Sequence, residues 1–299
     1  MAISMDWRGR LGVPYQGSKN AIARDIIGIM PRGKRFVDLF AGGCAVTHAA
    51  MISGKYDSFL ANDLQGFGLR LFVDAIAGRC AGKWREWVTR DEFNSRKAVD
   101  PLVALCWSFG NNGRDYLYAR IKEAAKHDEH LRRIQGIVSR DSELEHIERL
   151  SGVERLQALE CLRGVERLQA NYGSYADYQH ADGDVVYCDP PYANTQRYNS
   201  GAFDNAAFWD WVRTRDYPVF VSEYAAPEGF TPVWQKGKCQ LMHANGGAGK
   251  VVEYVFVASR YAPKFQTDLF LGMRKTYFSI VSLIREQLWH IVSADSLST

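Results

Sequence analysis

Residues Asp184 to Tyr192 read Asp-Val-Val-Tyr-Cys-Asp-Pro-Pro-Tyr, an apolar run stopped by two prolines. Val185, Val186 and Tyr187 are β-branched or aromatic, the composition of a buried strand, and a proline has no N–H to offer a neighbouring strand. The strand therefore ends at Asp189 and the chain leaves its sheet in a rigid loop. Two consecutive prolines set φ and keep the residue before them extended, so the Asp189 carboxylate and the Pro190 carbonyl become fixed, neighbouring acceptors. Such a pair suits an amino group with two hydrogens. Tyr192 adds a flat face for an aromatic base, and base–aromatic stacking is worth roughly 1 to 3 kcal/mol. Asp-Pro-Pro-Tyr also makes a good plain turn, but at average residue usage it arises by chance on the order of once per thousand chains of this length. Asp189, Pro190, Pro191 and Tyr192 thus read as a receptor for an exocyclic amine on a nucleobase.

A strand of this kind needs partners, and the first part of the chain supplies them. Arg35 to Phe40 reads as a strand, Ala41-Gly42-Gly43-Cys44 as a glycine-rich turn, and Val46 to Ile52 as a helix. Strand, glycine turn and helix resemble a dinucleotide-binding unit, and the match is weak because the third glycine of the fingerprint is missing. A second strand, Phe59 to Ala61, leads to Asp63, about twenty residues beyond the turn, where an acid is placed to accept from ribose hydroxyls or to cap the next helix. Ahead of both, Gly12 to Lys19 is a loop feeding an amphipathic helix with Ile22, Ile26, Ile27 and Met30 on one face up to Pro31. Tyr15 offers an aromatic wall there, and Ser18 and Lys19 stand where a helix start draws an anion, although residues so placed more often make a plain helix cap.

From Arg79 to Gln179 strand signals vanish, and a charge-dense, aromatic-punctuated stretch reads as an inserted helical subdomain. Its acids and bases nearly balance, so contact with a polyanion would come from local patches. Asn111, Asn112, Arg114 and Tyr116 form the best of them, since Asn and Arg make bidentate contacts to base edges; an ordinary turn explains the same residues equally well. Gly-Val-Glu-Arg-Leu-Gln-Ala occurs twice, at 152–158 and 164–170, which is too few copies for a solenoid and reads as structure without chemistry. Beyond it, Phe203 to Arg213 has helical spacing, and Tyr217 to Val221 and Val251 to Val257 read as strands. Gly246 to Lys250 reads as a hairpin turn, and the chain from Phe265 as a helical tail.

The net charge of +3 and pI near 8.4 permit a nucleic-acid partner without demanding one. Six scattered cysteines with no Cys-x-x-Cys pair speak for a reducing compartment and no structural metal, and His127 and His130 read as surface residues. The apolar stretch 277–292 is broken by Arg285, Glu286 and Gln287, so no membrane span is expected.

Taken in order, Tyr15 to Lys19, Asp38 to Gly43, Asp63, Ser108 to Tyr116, Val186 to Tyr192 and Ser222-Glu223-Tyr224 resemble the Dam-like DNA adenine-N6 methyltransferases, a family with many phage-borne members. The resemblance spans most of residues 12 to 258 and implies an α/β, Rossmann-like methyltransferase sheet with an inserted helical target-recognition subdomain. It implies a catalytic and cofactor-binding domain over 12–78 and 181–262, the insert over 79–180, and a helical tail over 263–299. It further implies S-adenosylmethionine held by Tyr15, Lys19, Asp38, Phe40, Gly42 and Asp63. Transfer would be to a flipped adenine at Asp189, Pro190, Pro191 and Tyr192, with double-stranded DNA read by Asn111, Asn112, Arg114 and Tyr116 and no metal required. The setting it implies is the cytoplasm of a bacterial or phage-infected cell, with a restriction–modification role among the possibilities. Phe40-Ala41-Gly42-Gly43-Cys44 departs from the Phe-x-Gly-x-Gly form of such turns by a shifted second glycine. The loop chemistry also serves cytosine N4, and an inactive DNA-binding relative would keep the same motifs. A nicotinamide-dependent oxidoreductase would explain Asp38 to Asp63 but leaves Asp-Pro-Pro-Tyr without a task.

Overall fold

The computed structural model describes residues 10–135, 159, 165–192, 203–240 and 249–265. Its frame is a seven-stranded sheet of β1 (Arg35–Asp38), β2 (Ser58–Asn62), β3 (Leu168–Asn171), β4 (Asp184–Cys188), β5 (Val219–Glu223), β6 (Phe230–Gln240) and β7 (Gly249–Ala258). The order across the sheet is β3-β2-β1-β4-β5-β7-β6. The first five strands are mutually parallel, and β7 runs antiparallel to both β5 and β6. Parallel strands are covered on both faces, which is why Phe36, Val37, Val185, Val186 and Tyr187 are all buried.

Around the sheet lie α1 (Ala23–Ile29), α2 (Ala45–Ser53), α3 (Phe67–Ile76), α4 (Arg90–Arg96), α5 (Pro101–Cys106), α6 (Arg120–Ile134) and α7 (Asn205–Arg213). The local signals for several starts are explicit. Thr89 and Glu92 close a capping box ahead of α4, Asp100 caps α5 with Pro101 in its first turn, and Asp204 accepts from the Ala207 N–H ahead of α7. In α1 the expected apolar face is the buried one, with Ile22, Ile26, Ile27 and Met30 all in the core.

Two strands are additions to the sequence reading. β6 was hidden by Pro232 and Gly237, residues that a central strand rejects; it lies at the sheet edge, and its register slips between Pro232 and Trp234. β3 falls inside the 79–180 segment expected to be helical. It pairs parallel to β2 at the opposite edge, half-exposed along its length, so the chain has rejoined the sheet well before residue 180. The helices α4 and α5 do not build a separate core either. Phe93, Val103, Leu105, Trp107, Tyr116 and Tyr118 belong to the same apolar cluster as Phe36 and Phe59 of the sheet.

His130 corrects its expected place on the surface: it is 3% exposed, its Nε2 lies 3.0 Å from the Arg85 carbonyl, and its ring packs on Trp87. Cys44, Cys80, Cys106 and Cys188 are all buried. Among the described residues no helix is long and apolar enough to cross a membrane, and no group of acids, histidines and cysteines is placed to hold a metal. The first copy of the seven-residue repeat, the Gly246 turn and the tail from 266 onward lie outside the described residues.

Candidate active site

β1 and β4 are neighbours, in register from Arg35↔Asp184 to Asp38↔Tyr187, yet the chain travels outward from them in opposite directions. An open parallel sheet forms its ligand crevice at such a reversal, beyond the carboxyl ends of the two strands. A cavity of about 420 Å³ opens there. Its walls come from the loops after β1, β2 and β4 and from the segment before α1, so they include Tyr15, Lys19, Asp38, Phe40, Gly42 and Asp63 as well as Asp189, Pro190, Pro191 and Tyr192. All ten residues singled out for cofactor and amine meet in one space.

The glycine turn is shaped by protein contacts before any ligand is considered. Val13 N–H donates to the Gly43 carbonyl at 2.8 Å, and Tyr15 lies across the turn. A Cβ on Gly43 would stand 2.5 Å from the Tyr15 Cβ; Gly42, at φ +48°, would put one 2.9 Å from the Tyr15 ring. The shifted second glycine is thus what lets Tyr15 close on the turn. Asp63 is tied to the backbone around it: one oxygen accepts from Gly42 N–H at 2.9 Å, and the other from Gln65 and Gly66 N–H at 3.0 and 2.7 Å, just ahead of α3. Beside it, Asn62 went unnoticed in the sequence. Its buried amide donates to the Leu39 and Gly173 carbonyls and accepts from Asn171 and Gly173, tying the ends of β1, β2 and β3 together. Only the strand pairing reveals that role.

Asp38 is 2% exposed. Thr47 Oγ1 donates to its Oδ2 at 2.8 Å, while Oδ1 is buried without a hydrogen-bond partner among the described residues. Burial pushes the carboxyl up to about 7 against the opposing hydrogen bonds from Thr47 and the Phe40 backbone, so near neutrality the group is divided between its acid and carboxylate forms. Next to it Phe40 stacks on Tyr175 at 5.3 Å and meets Phe203 and Phe208 edge-on. Tyr175 and Phe203 also line the cavity. Neither had a sequence signal, being ordinary aromatics in connecting segments.

Around the Asp-Pro-Pro-Tyr loop the side chains form a buried ionic group. Lys19 Nζ lies 2.8 Å from Asp189 Oδ1 and 3.4 Å from Glu253 Oε1. Tyr192 donates its hydroxyl to the same Glu253 oxygen at 2.9 Å, and the Lys19 ammonium stands 4.6 Å from the Tyr192 ring centre. Burial raises the Asp189 carboxyl above the usual carboxylate range, with Lys19 pulling it back. Burial alone would lower Lys19, but the two carboxylates reverse this and leave it raised. The anions that Lys19 meets in the structure are the protein's own Asp189 and Glu253. Tyr224, after β5, meets Tyr192 edge-on at 4.5 Å and completes the mouth.

The 108–116 loop behaves differently. Asn111, at φ +56°, donates to the Leu105 carbonyl at 2.8 Å. Asn112 Oδ1 accepts from Arg114 and Asp115 N–H, and its amide donates to the Asp115 carboxylate. Tyr116 is 8% exposed, with its hydroxyl donated to the Val88 carbonyl at 2.6 Å and Arg90 over its ring at 4.7 Å. Its placement near a duplex is corrected: Tyr116 is a core residue. Of the four, Arg114 alone has an exposed side chain.

The family model described as D12 class N6 adenine-specific DNA methyltransferase matches residues 15–150. The resemblance to Dam-like adenine-N6 methyltransferases is borne out by that match, and with it the reading of the chain as an adenine-specific DNA methyltransferase. No curated protein sequence matches the chain. Among solved structures, one described as an RNA methyltransferase from Pyrococcus horikoshii aligns over 80% of each chain with 12% identity and a TM-score of 0.32.

Proposed function

We propose that this protein, matched by the D12 adenine methyltransferase model over residues 15–150, transfers a methyl group from S-adenosylmethionine to the N6 amine of an adenine rotated out of double-stranded DNA into the cavity between β1 and β4. The observation that carries the reading is the meeting of the glycine turn and the Asp-Pro-Pro-Tyr loop in one space. S-adenosylmethionine, when bound, supplies an electrophilic methyl group on a sulfonium.

The residues present fit that donor. Asp38 offers a buried acceptor to an ammonium or a hydroxyl, Asp63 retains acceptor capacity beyond its backbone bonds, and Phe40 with Tyr175 and Tyr15 supplies aromatic walls for a purine. An amine within a stacked pair is out of reach, so the base must leave the duplex. Asp189 and the Pro190 carbonyl then accept the N6 hydrogens and stabilise the positive charge that grows on nitrogen as its lone pair takes the methyl. The proton lost afterwards goes to Asp189 or to water. Tyr192 presents its ring to the base.

The division of labour proposed is catalysis by 12–78 and 181–262 together with β3 and the loop through Tyr175, and target recognition by the rest of 79–180, with the loop around Arg114 nearest to base reading and its asparagines shaping the turn. Incubation of DNA with the protein and isotopically labelled S-adenosylmethionine, followed by nucleoside digestion and mass spectrometry, tests the whole. N6-methyladenine is the expected product. Label on cytosine N4 alone would overturn the choice of base, and label on neither would overturn the activity.

A further inference from the structure

We infer that Glu253 is a second seat for the Lys19 ammonium, a positioning residue that takes the lysine over when the target amine occupies Asp189. The inference rests on the methyl-transfer reading above. Glu253 is 0% exposed and interrupts the apolar strand Val-Val-Glu-Tyr-Val-Phe-Val of β7. A buried carboxylate is costly unless it is paired, so its presence there asks for a task. Its Oε1 meets two groups of the site at once, Tyr192 Oη at 2.9 Å and Lys19 Nζ at 3.4 Å, while the lysine sits closer to Asp189 at 2.8 Å.

One cation between two carboxylates, one fully buried and one at the cavity wall, can favour either. With Asp189 as its only partner, Lys19 would hold the lone pairs that the N6 hydrogens need. A second carboxylate within reach lowers the cost of release, because the ammonium keeps an ionic partner as it moves. The same Glu253 oxygen pins the Tyr192 hydroxyl, and so fixes the ring that faces the base. The lysine shift and the ring orientation are thereby controlled from one strand position.

The other titratable groups facing Asp189 are Tyr187 and Cys188 on β4, Asp38 at the end of β1, Tyr192 in its own loop and Tyr224 after β5. Tyr187, Cys188 and Tyr192 are pushed up by burial and stay neutral at neutral pH. Asp38 adds a further acid that a Glu253 substitution leaves in place, so what the substitution re-weights is the hold of Lys19 on Asp189, for which Glu253 competes.

The test is E253Q, which keeps the shape and the acceptor for Tyr192 but removes the charge. In the protein without ligand, carbon NMR of labelled aspartate carboxyls should show Asp189 titrating at lower pH in E253Q than in wild type. Single-turnover methyl transfer to DNA adenine should slow about tenfold or more, with calorimetric affinity for S-adenosylmethionine within about twofold. E253D should recover part of the rate, and carries the same comparison should E253Q fail to fold. An unmoved Asp189 titration, or transfer by E253Q at the wild-type rate, overturns the inference. A wild-type protein that labels no adenine while the Asp189 titration moves as expected overturns the functional reading instead, and leaves the shared lysine standing.

Discussion

The crevice between β1 and β4 and the loop at 108–116 look alike in sequence, each a run of glycines, amides, acids and aromatics between regular elements, yet the structure uses them in opposite ways. In the loop the polar groups are spent at home: Asn111 on Leu105, Asn112 on Arg114 and Asp115, Tyr116 on Val88. In the crevice they face a shared cavity, with a buried acceptor to spare on Asp38 and a lysine divided between two acids. Hydrogen-bond capacity already consumed within a loop builds that loop; capacity left over, buried and aimed into a cavity, can bind. Burying polar groups without full local satisfaction costs stability, so such groups persist where a ligand completes them.

The sharpest way to break this contrast is Asp189→Ala. Methyl transfer should fall by about three orders of magnitude or more, because the acceptor aimed at the reacting nitrogen is lost, while calorimetric affinity for S-adenosylmethionine stays within a few fold. An equal loss of cofactor affinity would show that Asp189 belongs to the cofactor side of the cavity.

Asp38→Asn comes next, and its sign depends on pH. A carboxyl raised from 3.8 to about 7 on folding lends its full stability below the unfolded value and loses it as pH climbs through the folded one. At roughly 1.4 kcal/mol per pH unit, that gap is worth up to about 4 kcal/mol. The Asn variant should therefore melt higher than wild type at pH 8 and lose the advantage near pH 4, while binding S-adenosylmethionine more weakly at pH 8. A variant that melts no higher at pH 8 would mean that Asp38 is satisfied without ligand.

On the other side of the comparison, Arg114→Ala should weaken DNA binding or relax site choice by roughly 1 to 3 kcal/mol, the range for a bidentate base contact, without moving the melting temperature. Tyr116→Phe should do the reverse at the smallest scale. Losing the bond to Val88 should cost about 1 kcal/mol of stability, read by denaturant melts, with an unchanged methylation profile. A changed profile in Tyr116→Phe would return that loop to the functional side of the contrast.

Much of the site was legible because its signals are local. A strand ended by two prolines needs no partner to be recognised, and strand, glycine turn and helix declare themselves by composition; Gly42, Asp63 and Asp189 to Tyr192 stood out this way, whereas Asp38 and Phe40 entered as candidates only through the family resemblance. The elements missed were those whose meaning lies in a neighbour. β6 is an edge strand whose Pro232 and Gly237 argue against any strand until its position at the margin is known. β3 is short and half-exposed, and its Leu168 continued the three-residue apolar spacing of the preceding repeat. Glu253 did leave a trace, a lone acid within an apolar strand, but only the pairing of β7 beside β5 turns that oddity into part of a site.

What the sequence by itself determined is therefore the set of building blocks: the buried parallel strands, the helix starts with their Asp and Thr caps, and the fixed acceptor pair at Asp189 and Pro190. Each follows from backbone geometry and side-chain chemistry within a few residues. The tertiary structure alone decided which charges would meet. Lys19, Glu253 and Asp189 come from three distant parts of the chain, and their joint effect depends on distances of a few ångströms in a medium that water does not screen. Spacing along the chain carries no record of such distances; sheet order and register do, which is why the glycine turn and the Asp-Pro-Pro-Tyr loop were readable separately and the ionic group beside them was not.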